Sequence, residues 1–185
     1  MAKCTEGVDF VDPEFARNWE SMGDIQSSDA GQAIWRFAYL YFHPGEDPAT
    51  QARHLVNTAM PLGFIPGRDH FVLDHEETDG LSPMDVSFAA WVCAHTIRTL
   101  VPESRVIIYT YPYFAIDGYC AMLGEHSLWI ADYGVPTPYV PPPWRGRYPW
   151  SFWQDSSNGG GNKDLFNGDD NKLKEFCSTT RLQVP

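Results

Sequence analysis

The sequence predicts an α/β fold built on a mostly parallel sheet. Short β-rich runs alternate with helical segments from Ile34 to Gln154. Such alternation is the signature of strands joined by crossover helices. A hydrophobic content of 43% over 185 residues supports a packed core, and there is no internal repeat or linker between domains.

Each element has a local reason. Asp12 to Met22 is predicted as a helix, with Asp12 as cap and Pro13 at the first position. Ile34 to Phe42 is an aromatic, β-rich run. Asp47 to Met60 opens Asp-Pro and reads as a second helix. His70 to Asp74 is a short apolar strand. Ser82 to Leu100 is a long helix, with Ser82 capping, Pro83 following and Asp85 at the third helical position. Val106 to Tyr111 is a strand, and Tyr113 to Leu123 a weaker helix. Leu128 to Tyr133 is a strand, and Trp150 to Gln154 the expected last one. Beyond Tyr133 the chain is too Pro-rich for a helix. Asp155 to Asp164 reads as a flexible loop, and Ser178 to Pro185 as a frayed tail after a domain of residues 1–177.

Charge narrows the function. The formal net charge is -11, the reverse of what phosphate contacts require, so nucleic acid is not expected as a partner. No apolar run is long enough for membrane insertion. The first residues lack a basic region followed by an apolar stretch, so synthesis in the cytoplasm without a Sec leader is expected. Cys4, Cys93, Cys120 and Cys177 form no CxxC pair and read as thiols. No dinucleotide-binding or Walker glycine motif follows a strand.

The chemistry concentrates in Phe71 to Gly80, where an apolar strand runs into Asp74, His75, Glu76 and Glu77. Residues two apart on a strand share a face. Asp74 and Glu76 therefore sit together at the carboxyl end of a parallel strand, where open α/β and barrel enzymes hold their sites. Two adjacent carboxylates cannot both ionise cheaply, and a raised carboxyl pKa suits a general acid. A solvated acidic loop is the competing reading, at even odds on this segment alone. Tyr39, Tyr41, Tyr109, Tyr111, Trp129, Tyr133, Trp150 and Trp153 lie near the ends of other predicted strands, as a sugar-binding cleft would need. Some are expected in the core instead. His43, Asp74, His75 and Glu76 do not form a recognised metal motif, so neither metal nor other cofactor is expected. Cys93 reads as core, and His95 and His126 lack the partners of a hydrolytic triad.

In order along the chain, several segments resemble glycoside hydrolase family 25, the Chalaropsis-type lysozymes that include phage endolysins. Lys3-Cys4-Thr5-Glu6-Gly7 is similar to the family's Lys-Ala-Thr-Glu-Gly, and Val8 to Trp19 to the segment after it. Phe37 to Pro44 is similar to its aromatic Tyr-His-Phe strand, with Leu40 where His is usual. Val72 to Glu76 is similar to its Asp-x-Glu strand. Tyr109 to Tyr111, Leu128 to Ala131, Trp153-Gln154 and Asp164 to Asp169 follow in order, the resemblance running from Lys3 to about Cys177.

The resemblance implies an irregular, TIM-like (β/α) barrel that cleaves the β-1,4 bond between N-acetylmuramic acid and N-acetylglucosamine in bacterial peptidoglycan. It implies Glu76 as general acid, Asp74 as partner carboxylate orienting the sugar acetamido group, and Asp164 as a further acid. Tyr39, Tyr41, Tyr109, Tyr111, Trp129, Tyr133, Trp153 and Gln154 are the expected sugar contacts. The family's first strand, which carries Asp-Val-Ser, and its first helix have no counterpart here. A gap between the Cys4 and Trp153 strands is therefore expected, with two unpaired edges. A glycan-binding module with impaired catalysis is the alternative function.

Overall fold

The computed structural model describes residues 1–28, 35–146, 149–158 and 161–178. In chain order these form β1 (Ala2–Glu6), β2 (Phe10–Val11), α1 (Phe15–Ser28), β3 (Phe37–Tyr41), α2 (Pro48–Ala59), β4 (His70–Asp74), α3 (Pro83–Leu100) and β5 (Val106–Thr110). Then follow α4 (Pro112–Ile116), β6 (Ser127–Ala131), β7 (Phe152–Asn158), β8 (Gly161–Phe166) and α5 (Asp170–Ser178). One eight-stranded sheet runs β2-β1-β3-β4-β5-β6-β7-β8. Pairing from β1 through β7 is parallel, while β2 and β8 are antiparallel at the two ends.

Both faces of the sheet are covered, and so its strands read as nearly continuous apolar runs. Phe71 and Leu73 of β4, Ile108 of β5 and Ile130 of β6 face the helix layer. Val72, Ile107 and Trp129, one residue out of phase, face the concave side. There Phe37 of β3 meets Phe152 of β7, with ring centres 5.6 Å apart. These strands are four steps apart, so a flat sheet would separate them by roughly 19 Å. The sheet is thus curled strongly upon itself.

The helices form where the sequence signals them. Asp47 caps α2 by accepting from the Thr50 amide, and Ser82 caps α3 by accepting from the Asp85 amide. The two helices pack side by side on the outer face. A buried ion pair lies beside α1 and the Gly63 turn. Arg36 donates from Nε to Asp69 Oδ1 at 3.1 Å and from Nη2 to Asp69 Oδ2 at 2.6 Å. Its guanidinium also stacks on Trp19 and donates to the Gly63 carbonyl.

The amino ends of the strands are closed by α5. Arg105 Nε donates to the Phe176 carbonyl at 2.7 Å, and His70 Nε2 to that of Cys177 at 2.9 Å. The Phe176 ring packs on Phe152 and Phe166. The inner core therefore fills one end of the curl, and the other end is left for polar residues.

Several sequence expectations need correction. The sheet curls like a barrel but is not closed: among the described residues, β2 and β8 remain its ends. The expected bare edges are covered instead, β1 by β2 and β7 by β8. Trp150 precedes the strand that was to contain it, and β7 continues to Asn158. Most of the expected flexible loop, Asp155 to Asp164, belongs to the arms of the β7–β8 hairpin, apart from residues 159 and 160, which lie outside the described residues. Cross-strand pairing outweighs the poor strand propensity of Ser, Asn and Gly there. The helix expected to Leu123 stops at Ile116, just before Gly118 turns the chain at a φ of 96°. Ile34 and residues 179–185 of the expected tail also lie outside the described residues. Among the described residues, no helix is long and apolar enough to cross a membrane.

The Arg36–Asp69 pair gives a stability test. Asp69→Ala strands a buried guanidinium and removes the acceptor of the Ile65 amide. It should cost about 3–5 kcal/mol in urea unfolding. A change within ~0.5 kcal/mol would mean that the pair is not structural.

Candidate active site

The polar end of the curl lies at the carboxyl ends of the parallel strands. Asp74 is the last residue of β4, in register with Tyr41 of β3 and Tyr109 of β5. Alternation sends His75 the other way, into the helix layer. Its imidazole is fully buried, bonds to the Tyr119 carbonyl through Nε2 and packs on Phe114. His75 is thereby removed from the carboxylate face. Among the described residues, no group of three or more His, Cys, Asp or Glu side chains could hold a metal ion.

The Glu76 charge perturbs Asp74, as the spacing predicts, and both carboxyl groups are raised. Asp74 Oδ1 is sealed from solvent and has no hydrogen-bond partner. Burial first, and then the Glu76 charge, push its pKa up to about 8, against a smaller opposing pull from Lys3. Glu76 is less deeply set. Its pKa is raised by burial and by Glu77. Asp74, the deeper of the two, therefore keeps its proton to higher pH than an ordinary carboxyl. The two-residue spacing alone leaves open which of the two is raised more.

The opposite wall is a hydrogen-bond network. Gln154 Oε1 accepts from the Tyr109 hydroxyl at 2.9 Å and from the Tyr133 hydroxyl. With its oxygen so engaged, the amide group of Gln154 bonds to Asp164, the residue opposite it on β8. Asp164 also accepts from Trp129 Nε1 at 2.9 Å. Burial raises the Asp164 pKa and these two donors pull against it. The network joins β5, β6, β7 and β8 across the cleft floor.

The expected aromatic residues divide into three groups. Tyr41, Tyr111 and Tyr133 reach solvent at the rim, with Tyr111 36% and Tyr133 48% exposed. Tyr39, Tyr109 and Trp129 form the floor. Burial, and then the charge of Asp74, push Tyr39 up to about 12, so its hydroxyl remains a neutral donor. Trp153 is on the other side: it packs in the outer core and donates through Nε1 to the Asp132 carbonyl. Trp150 likewise packs outward. One-residue alternation along β7, with Phe152 and Gln154 inward, decides this.

Sequence reasoning missed a polar cluster on the rim beside Tyr41. Lys3 Nζ pairs with Glu6 at 2.6 Å and lies 5.4 Å from the Tyr41 ring centre. His43 stands between Glu6 and Asp79, 3.3 Å from each. These residues are far apart in sequence, and only β1–β3–β4 pairing assembles them. A partial signal is that Glu6 ends β1 and His43 follows β3 by two residues.

Comparison with known proteins agrees with the fold and the motifs. The family model for glycosyl hydrolases family 25 matches residues 1–163. The uncharacterized protein YegX of Escherichia coli is 30% identical over 183 residues, covering 94% of this chain and 61% of the relative. Lysozyme M1 of Streptomyces globisporus is 28% identical over 200 residues, covering 96% of this chain and 63% of the relative. The chain thus spans a little over three fifths of the length of these curated relatives. Among solved structures, a muramidase from Trichobolus zukalii superposes with a TM-score of 0.77 at 24% identity, covering 95% of this chain and 85% of that one. A bacterial lysozyme from Streptomyces coelicolor gives 0.75 at 23% identity, covering 97% and 85%.

The raised pKa of Asp74 makes the site costly to the fold. The folded state holds a proton there that the unfolded chain releases near pH 4, so stability falls as pH rises from about 4 to about 8. Asp74→Asn removes that cost. The variant should exceed wild type by on the order of 1–3 kcal/mol above about pH 8, roughly 3–10 °C in Tm. The gain should vanish near pH 4. A Tm difference independent of pH would contradict the assignment.

Proposed function

The chain belongs to glycosyl hydrolases family 25, and on that premise we propose that it is a peptidoglycan N-acetylmuramidase whose catalytic unit spans residues 1–177. Its substrate is the β-1,4 bond between N-acetylmuramic acid and N-acetylglucosamine, and its site of action is the bacterial cell wall. The observation that carries this reading is the carboxyl pair Asp74 and Glu76 at the open end of a curled sheet, with one sealed, unpartnered oxygen on Asp74.

The chemistry follows from the unequal burial. An arriving acetamido N–H is the donor that Asp74 Oδ1 lacks. Donation to that oxygen stabilises the ionised form of Asp74 and leaves the shared proton on Glu76. Glu76 then protonates the glycosidic oxygen as the bond from the muramic acid C1 breaks. The acetamido carbonyl oxygen bonds to C1 from the other side, giving an oxazoline-type ring whose N–H rests on Asp74. Water next attacks C1, loses a proton to the Glu76 carboxylate, and reopens the ring with retention of configuration. Gln154 and Asp164, held by Tyr109, Tyr133 and Trp129, supply a rigid polar wall for sugar hydroxyls. Tyr41 and Tyr111 offer ring faces to the C–H side of the sugars.

A second reading has one observation in its favour. The sheet is open between β2 and β8 among the described residues, so the cleft wall is incomplete there. In that reading the chain binds wall glycans without cutting them.

Mass spectrometry of soluble products from purified peptidoglycan separates the two. Fragments ending in reducing muramic acid, reduced at least ~1,000-fold by Glu76→Gln, are expected. Reducing-end glucosamine would reject the bond assignment. Co-sedimentation with the wall without release would select the binding module.

A further inference from the structure

His43 follows β3 and stands where three loop segments meet. Its Nε2 is 3.3 Å from Glu6 Oε1 at the end of β1, and its Nδ1 is 3.3 Å from Asp79 Oδ1, in the loop between β4 and α3. A neutral imidazole has one N–H and one lone pair. An ionised carboxylate only accepts. Both contacts can be hydrogen bonds at once only if the ring is an imidazolium.

The surroundings are built around this bridge. Asp79 Oδ2 accepts from the Gly45 amide at 2.8 Å, and Asp79 is held at a φ of 47°, uncommon for a residue with a side chain. Glu46 Oε2 accepts from the Val8 amide at 2.8 Å and fills the space where a Cβ on Gly7 would come within 2.5 Å of it. Glu6 binds Lys3, and Lys3 in turn acts on Asp74. The charged groups around His43 are thus Glu6 and Lys3 from β1, Glu46 from its own loop, and Asp79 from the β4–α3 loop, with Tyr41 edge-on to the ring.

We propose that His43 is a positioning residue of the cleft: as an imidazolium it ties Glu6 to Asp79 and so keeps the Lys3 ammonium over the ring of Tyr41, the residue paired with Asp74 across β3 and β4. It touches neither the acid pair nor the expected sugar. It works through Lys3, whose charge favours ionised Asp74. Burial disfavours the charged ring, but the hydrogen bonds it donates to Asp79 and Glu6 outweigh that and raise its pKa above the ordinary histidine value. The bridge is therefore complete below about pH 6.5 and is lost as pH rises through the raised value.

The placement of the bridge does not depend on the muramidase reading, but its catalytic meaning does. The test therefore reads protons first. Carbon-13 NMR follows the Asp74 carboxyl in wild type, His43→Gln, His43→Lys and Lys3→Met, and nitrogen-15 NMR follows the His43 ring. Both ring nitrogens should be protonated at pH 6. His43→Gln and Lys3→Met should each raise the Asp74 pKa by roughly half a unit, a threefold change in its ionisation. His43→Lys, a cation that does not titrate in this range, should leave it near the wild-type value. In an active enzyme the acidic limb of the kcat/KM profile should move by the same amount in His43→Gln. A neutral His43 ring at pH 6 would overturn the proposal, as would an Asp74 titration unmoved by His43→Gln. The ring measurement uses wild-type protein and stands if a variant fails to fold. Failure of the muramidase reading would show separately, as absence of muramic acid ends with wild type.

Discussion

Everything in this molecule turns on the burial of Asp74 beside Glu76. A carboxyl group at the end of an ordinary strand would be solvated and ionised. Here the sheet curls over it, because Phe37, Trp129 and Phe152 pack across four strand steps. That aromatic cluster fills the inner face from the first residues of β3 and β7 to the middle of β6. The polar residues one step further on are drawn into a concave, poorly hydrated space. The resulting cost of ionisation is what makes a proton available at neutral pH. In the proposed mechanism stability and chemistry are opposed at this position.

The rest of the cleft offsets part of that cost. The Lys3 charge lowers the Asp74 pKa against the larger effect of burial. On the other side, Trp129 and Gln154 donate to Asp164, so that this further carboxylate is stabilised by donors. The two acids thus differ in kind. Asp164 is a fixed acceptor, whereas Asp74 keeps an oxygen without a partner. In the proposed mechanism that unpaired oxygen is the one that receives the sugar acetamido N–H.

Much of this was legible in the sequence. The register of β4 followed from HFVLD running into His75 and Glu76, because two-residue periodicity fixes which acids share a face. The caps Asp47 and Ser82 announced α2 and α3. What remained hidden depended on contacts between distant segments. The β7–β8 hairpin is rich in Ser, Asn and Gly, and pairing with each other and with β6 makes it strand. Trp153 reads as a sugar platform by type, and a one-residue difference in phase sends it to the outer core. The plug α5 carries only a few apolar residues, whose partners lie at the amino ends of other strands. The His43 bridge joins residues 6, 43 and 79, which no local pattern connects. The larger pKa shift on Asp74 reflects depth, and depth comes from the curl.

The central claim concerns the position of one proton. Titration of both carboxyl groups by carbon-13 NMR, without and with a chitin oligosaccharide bearing the acetamido group, tests it directly. In the empty protein Asp74 should stay protonated to about pH 8. With the sugar bound, the proton should move to Glu76 while Asp74 ionises. Two carboxyl groups titrating together near pH 4, or a distribution that the sugar leaves unchanged, would contradict the account.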